Sequence, residues 1–165
     1  MEIRFAQDGR FFTYGAKAII IEDSCLLMAT STAVDFYYPV GGGANHFETA
    51  EETVRREVFE ETGAEYEIDR LLFVYENLFC GDEDTPSLAT GTQCHEIAFY
   101  FLMKPRGSKD VNCISRGYDG APESLHWLPI KNLKDYKMYP KFFYEKIENL
   151  PQTLTFVSDD RRWRE

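Results

Sequence analysis

Apolar residues recur along this chain in short runs that are separated by polar segments rich in glycine and proline. Runs of this length, bounded by turn residues, are typical of β-strands. The run at residues 14–22, YGAKAIIIE, ends in apolar residues on both faces, which predicts a strand inside a sheet. The predicted strands cover residues 14–22, 25–30, 36–43, 66–79, 95–103 and 125–130.

One segment, residues 49–62, has the periodicity of a helix instead. Thr49 is followed three residues later by Glu52, which matches a capping box at a helix N-terminus. Gly63 is well placed to end the helix, because glycine readily adopts the left-handed conformation of a C-terminal cap. The segment is therefore predicted to be a helix of about four turns.

No repeat, low-complexity segment or linker divides the sequence, so we expect one domain over residues 1–165. Its core is predicted at 12–150, with a C-terminal helix at 141–150 and a flexible tail at 151–165. Strands dominate, with one central and one terminal helix. This pattern favours an α/β (α+β) fold, a mixed sheet with helices packed on its faces.

The central helix concentrates carboxylates where its apolar stripe predicts apolar residues. With Glu57 at zero and about 100° per residue, Val54 and Val58 lie at about 60° and 100°. Glu61 then lies inside the stripe at about 40°, and Glu60 flanks it at about −60°. Glu57 and Glu61 are therefore predicted on or beside the packed face of the helix.

A solvated acidic face is the alternative interpretation, and it suits Glu51 and Glu52 at the helix N-terminus well. Carboxylates on or beside the packed face, such as Glu57 and Glu61, need a compensating charge. Arg55 and Arg56 project at about 160° and −100°, so they are not obvious partners for all three glutamates. A divalent cation, Mg²⁺ or Mn²⁺, resolves this conflict, because both prefer carboxylate oxygens.

The formal net charge of −10 argues against binding to a nucleic acid polymer or an anionic membrane. No segment is long and apolar enough for a membrane helix, and the N-terminus does not resemble a signal peptide. The four cysteines form neither a CxxC pair nor a zinc-like cluster. We therefore predict a cytoplasmic protein with reduced cysteines.

The sequence from Gly42 to Ala64 resembles the Nudix box: glycine, five residues, glutamate, seven residues, then Arg-Glu-aliphatic-any-Glu-Glu-any-Gly-aliphatic. Every charged and glycine position of the motif is present, and small Ala64 fills the last aliphatic position. The resemblance implies a mixed β-sheet sandwiched between helices, an α/β/α sandwich. It also implies hydrolysis of the pyrophosphate linkage in a nucleoside diphosphate joined to another moiety, X.

The resemblance implies a role for each matching residue. Glu57, Glu60 and Glu61 would be catalytic metal ligands for Mg²⁺ or Mn²⁺, and Glu48 would support them. Arg56 would orient the glutamates through salt bridges. The glycines that let the backbone approach metal and substrate phosphates would be Gly41, Gly42 and Gly43.

Two questions stay open at this stage. The first question is the identity of the general base. One candidate is Glu96, which lies at the mouth of an apolar strand. The others are Glu123, one of the acidic residues within 81–85, and a box glutamate. The second question is the geometry of the loop before the helix, because many family members have a glutamate and a glycine where this chain has Asn45 and Phe47.

The leading hypothesis is a metal-dependent Nudix hydrolase that acts on a small nucleotide diphosphate, as a monomer or a homodimer. The alternative is a Nudix-like module that binds a nucleotide without cutting it, but such modules commonly lose box glutamates that this chain keeps. A diphosphate isomerase on the same fold is less favoured, because the sequence has no additional catalytic cysteine motif. The sequence does not identify X.

Overall fold

The structure is a computed structural model that describes residues 1–82, 85, 88–116 and 120–162. Strands make up most of the regular structure, with one long helix and two short helical segments. The strands are β1 (Arg4–Gln7), β2 (Arg10–Ile19), β3 (Ile21–Glu22), β4 (Cys25–Ser31), β5 (Gly41–Gly43), β6 (Ile68–Cys80), β7 (Gln93–Met103), β8 (Glu123–Pro129) and β9 (Thr155–Asp160). The helices are α1 (Ala50–Thr62), α2 (Phe143–Lys146) and a 3-10 helix (Ile130–Asp135).

The larger sheet has the strand order β1-β2-β7-β6-β9, and β5 pairs with β2 beside it. The β2–β7 and β6–β9 pairs are parallel, whereas the other pairs of this sheet are antiparallel. A second, antiparallel sheet has the order β3-β4-β8. The prediction of a mixed sheet in an α+β fold is confirmed.

Two apolar clusters lie on opposite faces of the larger sheet, because successive residues of a strand point to opposite sides. On β2, Ala16 and Ala18 belong to the cluster that packs under Val54 of helix α1. Ile19 belongs to the other cluster, which includes Phe143 of α2. The sheet is therefore covered by helical segments on both sides, as the resemblance implies.

Helix α1 begins and ends where the sequence predicts. The Thr49 side chain accepts a hydrogen bond from the Glu52 backbone N–H, and the Glu52 carboxylate accepts one from the Thr49 backbone N–H. Gly63 ends the helix in the left-handed region at φ 66°, and its N–H donates to the Phe59 carbonyl. This reciprocal capping fixes the register of the helix.

Four predicted elements differ from the structure. The strand predicted at 14–22 is divided into β2 and β3, which belong to different sheets. The strand predicted at 36–43 is confined to Gly41–Gly43, and the helix predicted at 141–150 is confined to Phe143–Lys146. No side chain caps the start of that short helix at Phe142. The tail predicted to be flexible from 151 onward contains β9, Thr155–Asp160, which pairs with β6. Residues 163–165 of this tail lie outside the described residues.

The sequence does not predict the N-terminal strand β1, because residues 4–7 show no apolar alternation. Among the described residues, no helix is both long and apolar enough to cross a bilayer. All four cysteines carry free thiols.

Candidate active site

The strand β5 packs against β2 without room for a Cβ atom at several positions, and glycine makes this approach feasible. Gly41, Gly42 and Gly43 pair with Lys17, Ala16 and Gly15 in antiparallel register. A Cβ atom on Gly15 would collide with the Gly42 carbonyl oxygen, and Gly41 has a φ of 131°. Side chains at these positions would separate the strands or strain the backbone. The three glycines therefore hold the backbone against the C-terminal half of helix α1.

Glu57 lies directly over this glycine strand. A Cβ atom on Gly42 would come within 2.6 Å of the Glu57 carboxylate. The Glu57 side chain is 16% exposed. Burial raises its pKa, whereas the nearby charges of Arg56 and Lys17 oppose this shift. The absence of a side chain at Gly42 therefore creates the space in which this carboxylate lies.

Glu61 is the most buried carboxylate of the helix, with 7% of its surface exposed. Its Oε1 accepts a hydrogen bond from the Gly41 backbone N–H at 2.9 Å. Burial raises the pKa of Glu61 to about 8, although the Gly41 N–H and the Lys17 charge act in the opposite direction. The described ion pairs include none to Glu61, so its charge lacks a direct cationic partner there.

Arg56 connects three carboxylates of the motif. Its Nε and one terminal nitrogen donate to the two Glu48 oxygens at 2.7 and 2.9 Å. Its other terminal nitrogen donates to Glu57 at 2.5 Å and to Glu60 at 3.3 Å. The expectation that Arg56 orients the glutamates agrees with these contacts. The helical projection did not predict that Arg56 contacts both Glu57 and Glu60.

Glu48 is the anchor of this arrangement. Besides the two bonds from Arg56, it accepts one from the Asn45 backbone N–H at 2.9 Å and one from the Thr53 hydroxyl at 3.1 Å. The hydrogen bonds from Arg56 are the largest cause that lowers the Glu48 pKa to about 2. Glu48 is therefore an ionised, fully engaged carboxylate that fixes Arg56, and so it acts on the site indirectly.

These groups open onto a cleft of about 500 Å³ between β2, β5, α1 and the start of β8. This volume is within the range of small-molecule sites. Its lining carries both signs of charge. The acidic residues are Glu2, Glu57, Glu60, Glu61, Glu96 and Glu123, and the basic residues are Arg4, Lys17 and Arg116.

The carboxylates of the cleft offer hard oxygen donors, which suit Mg²⁺ or Mn²⁺. Within the described part of the chain, no three His, Cys, Asp or Glu side chains already converge as a metal cage. Arg56 holds Glu57 and Glu60 on its own side, whereas Glu61 is bonded to Gly41. The fit to a cation rests on the oxygen donors and on the uncompensated burial of Glu61.

Both leading candidates for the general base line this cleft. Glu123, at the start of β8, accepts hydrogen bonds from the Tyr38 and Ser115 hydroxyls, each at 2.6 Å. Its negative charge also raises the pKa of Glu61, so the two carboxylates lie within electrostatic reach. Glu96, on β7, accepts a hydrogen bond from the Asn77 amide at 3.2 Å. The acidic candidates at positions 83 and 84 lie outside the described residues.

Lys17 is a residue of the cleft that the sequence pattern did not single out. Its Nζ donates to the Gly41 carbonyl at 2.8 Å, and its charge acts on both Glu57 and Glu61. A signal for it exists in the sequence, because it interrupts an otherwise apolar run in β2. A lysine within such a run needs a partner or a function.

The loop before α1 contains the two departures from the common family pattern, Asn45 and Phe47. Phe47 has a φ of 71°, a conformation that glycine adopts at lower cost. Its side chain is 97% exposed. Asn45 contributes its backbone N–H to Glu48. The two departures therefore leave the Glu48–Arg56 contact in place.

Comparisons with known proteins identify the family of this chain. The family model described as NUDIX domain matches residues 12–148. No curated protein sequence matches the chain.

Among solved structures, the MutT protein from Bacillus halodurans is similar at a TM-score of 0.62 and 14% identity, with 90% of each chain covered. The MutT protein from Methanosarcina mazei Go1 has a TM-score of 0.62 and 18% identity, over 83% of this chain and 93% of that one. An ADP-ribose pyrophosphatase from Streptococcus suis has a TM-score of 0.53 and 13% identity, over 89% and 98%. At these identities the solved structures establish the fold. Since the family model spans most of the sequence, the chain belongs to the NUDIX domain family.

Proposed function

We propose that this protein uses Mg²⁺ or Mn²⁺ to hydrolyse the pyrophosphate linkage of a nucleoside diphosphate joined to another moiety, X. The observation that carries the proposal is the burial of Glu61, which is 7% exposed and lies beside Glu57 in the cleft. None of the described ion pairs gives Glu61 a direct cationic partner. Family membership together with a complete box makes the chain a pyrophosphohydrolase. The cation and the substrate are the parts that we propose.

Glu57, Glu60 and Glu61 are the residues that would hold the cation, since all three line the cleft. A divalent cation bound there would neutralise charge on the phosphates and lower the pKa of a bound water. This also explains how a strongly acidic protein binds an anionic substrate. Without the cation, the carboxylates and the diphosphate would repel each other.

The protein's own cations complete the binding of the diphosphate. Lys17 and Arg116 line the cleft, and Lys17 is held by the Gly41 carbonyl. Both side chains supply N–H donors, which form charge-assisted hydrogen bonds with phosphate oxygens. Arg56 is engaged with Glu48, Glu57 and Glu60, so we assign it to positioning of the carboxylates.

We propose Glu123 as the general base. The Tyr38 and Ser115 hydroxyls hold its carboxylate, and its charge acts on Glu61. In this step, Glu123 accepts a proton from water while the water oxygen bonds to one phosphorus. The bridging P–O bond breaks, and the leaving phosphate oxygen keeps the electron pair. Glu96 is the second candidate for this role.

The experiment is a panel of nucleoside diphosphate derivatives incubated with Mg²⁺ or Mn²⁺, with products identified by ³¹P NMR. Wild-type protein is compared with Glu60→Gln and Glu61→Gln. We expect cation-dependent release of a nucleoside monophosphate and phospho-X, with large losses in both variants. Absence of turnover on every member would favour the nucleotide-binding module, whereas turnover unaffected by both substitutions would contradict the metal assignment.

The cytoplasmic location and the homodimer stay predictions from the sequence. Size-exclusion chromatography with light scattering of the purified chain would decide between monomer and dimer.

A further inference from the structure

A second cavity, of about 380 Å³, adjoins the cleft. Lys17, Phe36, Tyr38 and Glu96 line both spaces, so a ligand can extend from one into the other. A diphosphate in the cleft therefore places its neighbouring group at the mouth of this cavity. We call the second space the side cavity.

Aromatic rings form much of the wall of the side cavity. Phe36 and Tyr139 contact each other edge to face, with ring centroids 5.1 Å apart. Phe79 and Tyr75 also line it. Such rings bind a planar ring system through stacking or edge contacts. The cavity is therefore suited to a nucleobase.

The polar side chains of the wall form a row that is connected by hydrogen bonds. Arg161, which directly follows β9, places its guanidinium over the Phe79 and Tyr139 rings, at 5.3 and 5.5 Å. Its terminal nitrogen donates to the Asn77 side-chain oxygen at 3.0 Å. The Asn77 side-chain nitrogen donates to Glu96 at 3.2 Å. The row therefore runs from guanidinium through amide to carboxylate.

The chemistry of this row admits one orientation of the amide. Arginine has only donors, and a carboxylate has only acceptors, so the Asn77 oxygen must face Arg161 and its nitrogen must face Glu96. Asn77 is 6% exposed and the Arg161 side chain is 19% exposed, so neither rotates freely in water. One end of the row is a donor, and the other end is an acceptor.

We propose that the side cavity binds the nucleobase and that Arg161 and Glu96 select a base with a lactam edge. This proposal rests on the proposed function, and it names the substrate class for the same site. A lactam edge presents a carbonyl next to a ring N–H, as in guanine, hypoxanthine and uracil. The carbonyl accepts from Arg161, and the N–H donates to Glu96.

Adenine and cytosine present the opposite pattern. Each has an amino group where the lactam has its carbonyl, and an unprotonated ring nitrogen where the lactam has its N–H. Their amino group would face the donors of Arg161, and their ring nitrogen would face the carboxylate of Glu96. Buried groups left unpaired in this way produce strong discrimination.

The test measures kcat/KM of the full chain on two size-matched pairs, guanosine against adenosine and uridine against cytidine diphosphate derivatives that share one X group. We expect the lactam member of each pair to be favoured about 10- to 100-fold. Equal values within each pair would overturn the inference while leaving the proposed function intact.

Three variants separate recognition from a structural or catalytic role. Arg161→Gln is expected to reduce the preference within each pair to about threefold or less, whereas Arg161→Lys keeps a donor and retains part of it. A purely structural role would lower all four values equally and leave the ratios unchanged, which would contradict the inference. Glu96→Gln is also expected to change the ratios. A uniform loss would identify Glu96 as the catalytic base instead.

If no derivative is hydrolysed, the proposed function fails, and the side cavity is still testable by equilibrium dialysis. Guanosine and adenosine monophosphates, and uridine and cytidine monophosphates, serve as the probes. Tighter binding of the lactam member in each pair would support the inference on its own. Equal dissociation constants within both pairs would overturn it.

Discussion

Gly42→Ala tests whether the glycine strand makes room for the Glu57 carboxylate. Gly42 does not have a positive φ, so alanine fits its backbone conformation. The added Cβ, however, would lie 2.6 Å from the carboxylate, and ordinary contacts begin at 3.4 Å. The carboxylate must therefore move by about 0.8 Å if the backbone holds its position.

A displacement of this size is sufficient to disturb catalysis, because a misplacement of about 1 Å costs about 100-fold in rate. We expect kcat of Gly42→Ala to fall by about 100-fold, while the melting temperature changes by a few degrees at most. The assay is cation-dependent hydrolysis of a substrate identified by the panel, combined with thermal unfolding of the same samples.

Gly9→Ala is the matched control, since it makes the same chemical change at a glycine that does not line the cleft. Gly9 has a φ of 70°, and a Cβ atom added there would meet nothing within 4 Å beyond its chain neighbours. Alanine there should cost about 1 kcal/mol of stability through backbone strain and leave kcat unchanged. Wild-type kcat in Gly42→Ala would show that catalysis does not depend on the space that Gly42 leaves for Glu57.

Three further predictions concern the carboxylates and their partners. Arg56→Lys loses the two-point contact with Glu48, so kcat should fall by about 10- to 100-fold in the same hydrolysis assay. Because the Glu48 pKa is lowered to about 2, its contribution is present above pH 4.5 and lost as pH falls towards 2. Urea unfolding should therefore show Glu48→Gln to be less stable than wild type by about 1–2 kcal/mol at pH 7, with the difference shrinking below pH 4; a constant difference would contradict this. Glu123→Gln should lower kcat by about 100-fold or more at nearly unchanged KM, and an unchanged kcat would exclude Glu123 as the base.

The sequence predicts helix α1 well because its signals are local. The capping box at Thr49 and the glycine at position 63 act within a few residues of the helix ends. The same local spacing places Glu57 and Glu61 towards the packed face. Glu61 lies where the pattern calls for an apolar residue, and the structure finds it buried.

Long-range pairings account for what the sequence did not predict. The contact between Tyr38 and Glu123 joins residues 85 positions apart, and no local pattern encodes it. Strand β9 escapes prediction because it is a short edge strand with Phe156 exposed, and its parallel partner β6 lies far away in the sequence. The sequence did not single out Arg161 for the same reason, because its position in the side cavity depends on the pairing of β9 with the sheet.

We propose that Glu61 holds a cation that pyrophosphate hydrolysis requires. The most direct measurement is the hydrolysis rate as a function of free Mg²⁺ after removal of bound cations, for wild type, Glu61→Gln and Glu51→Gln. Glu51 is on the same helix but 64% exposed, so its variant controls for a lost charge. Because burial favours the neutral form at position 61, glutamine should not destabilise the fold there. We predict Mg²⁺-dependent rates for wild type and Glu51→Gln, and a loss of at least about 100-fold for Glu61→Gln. Identical Mg²⁺ dependence in all three proteins would contradict the claim.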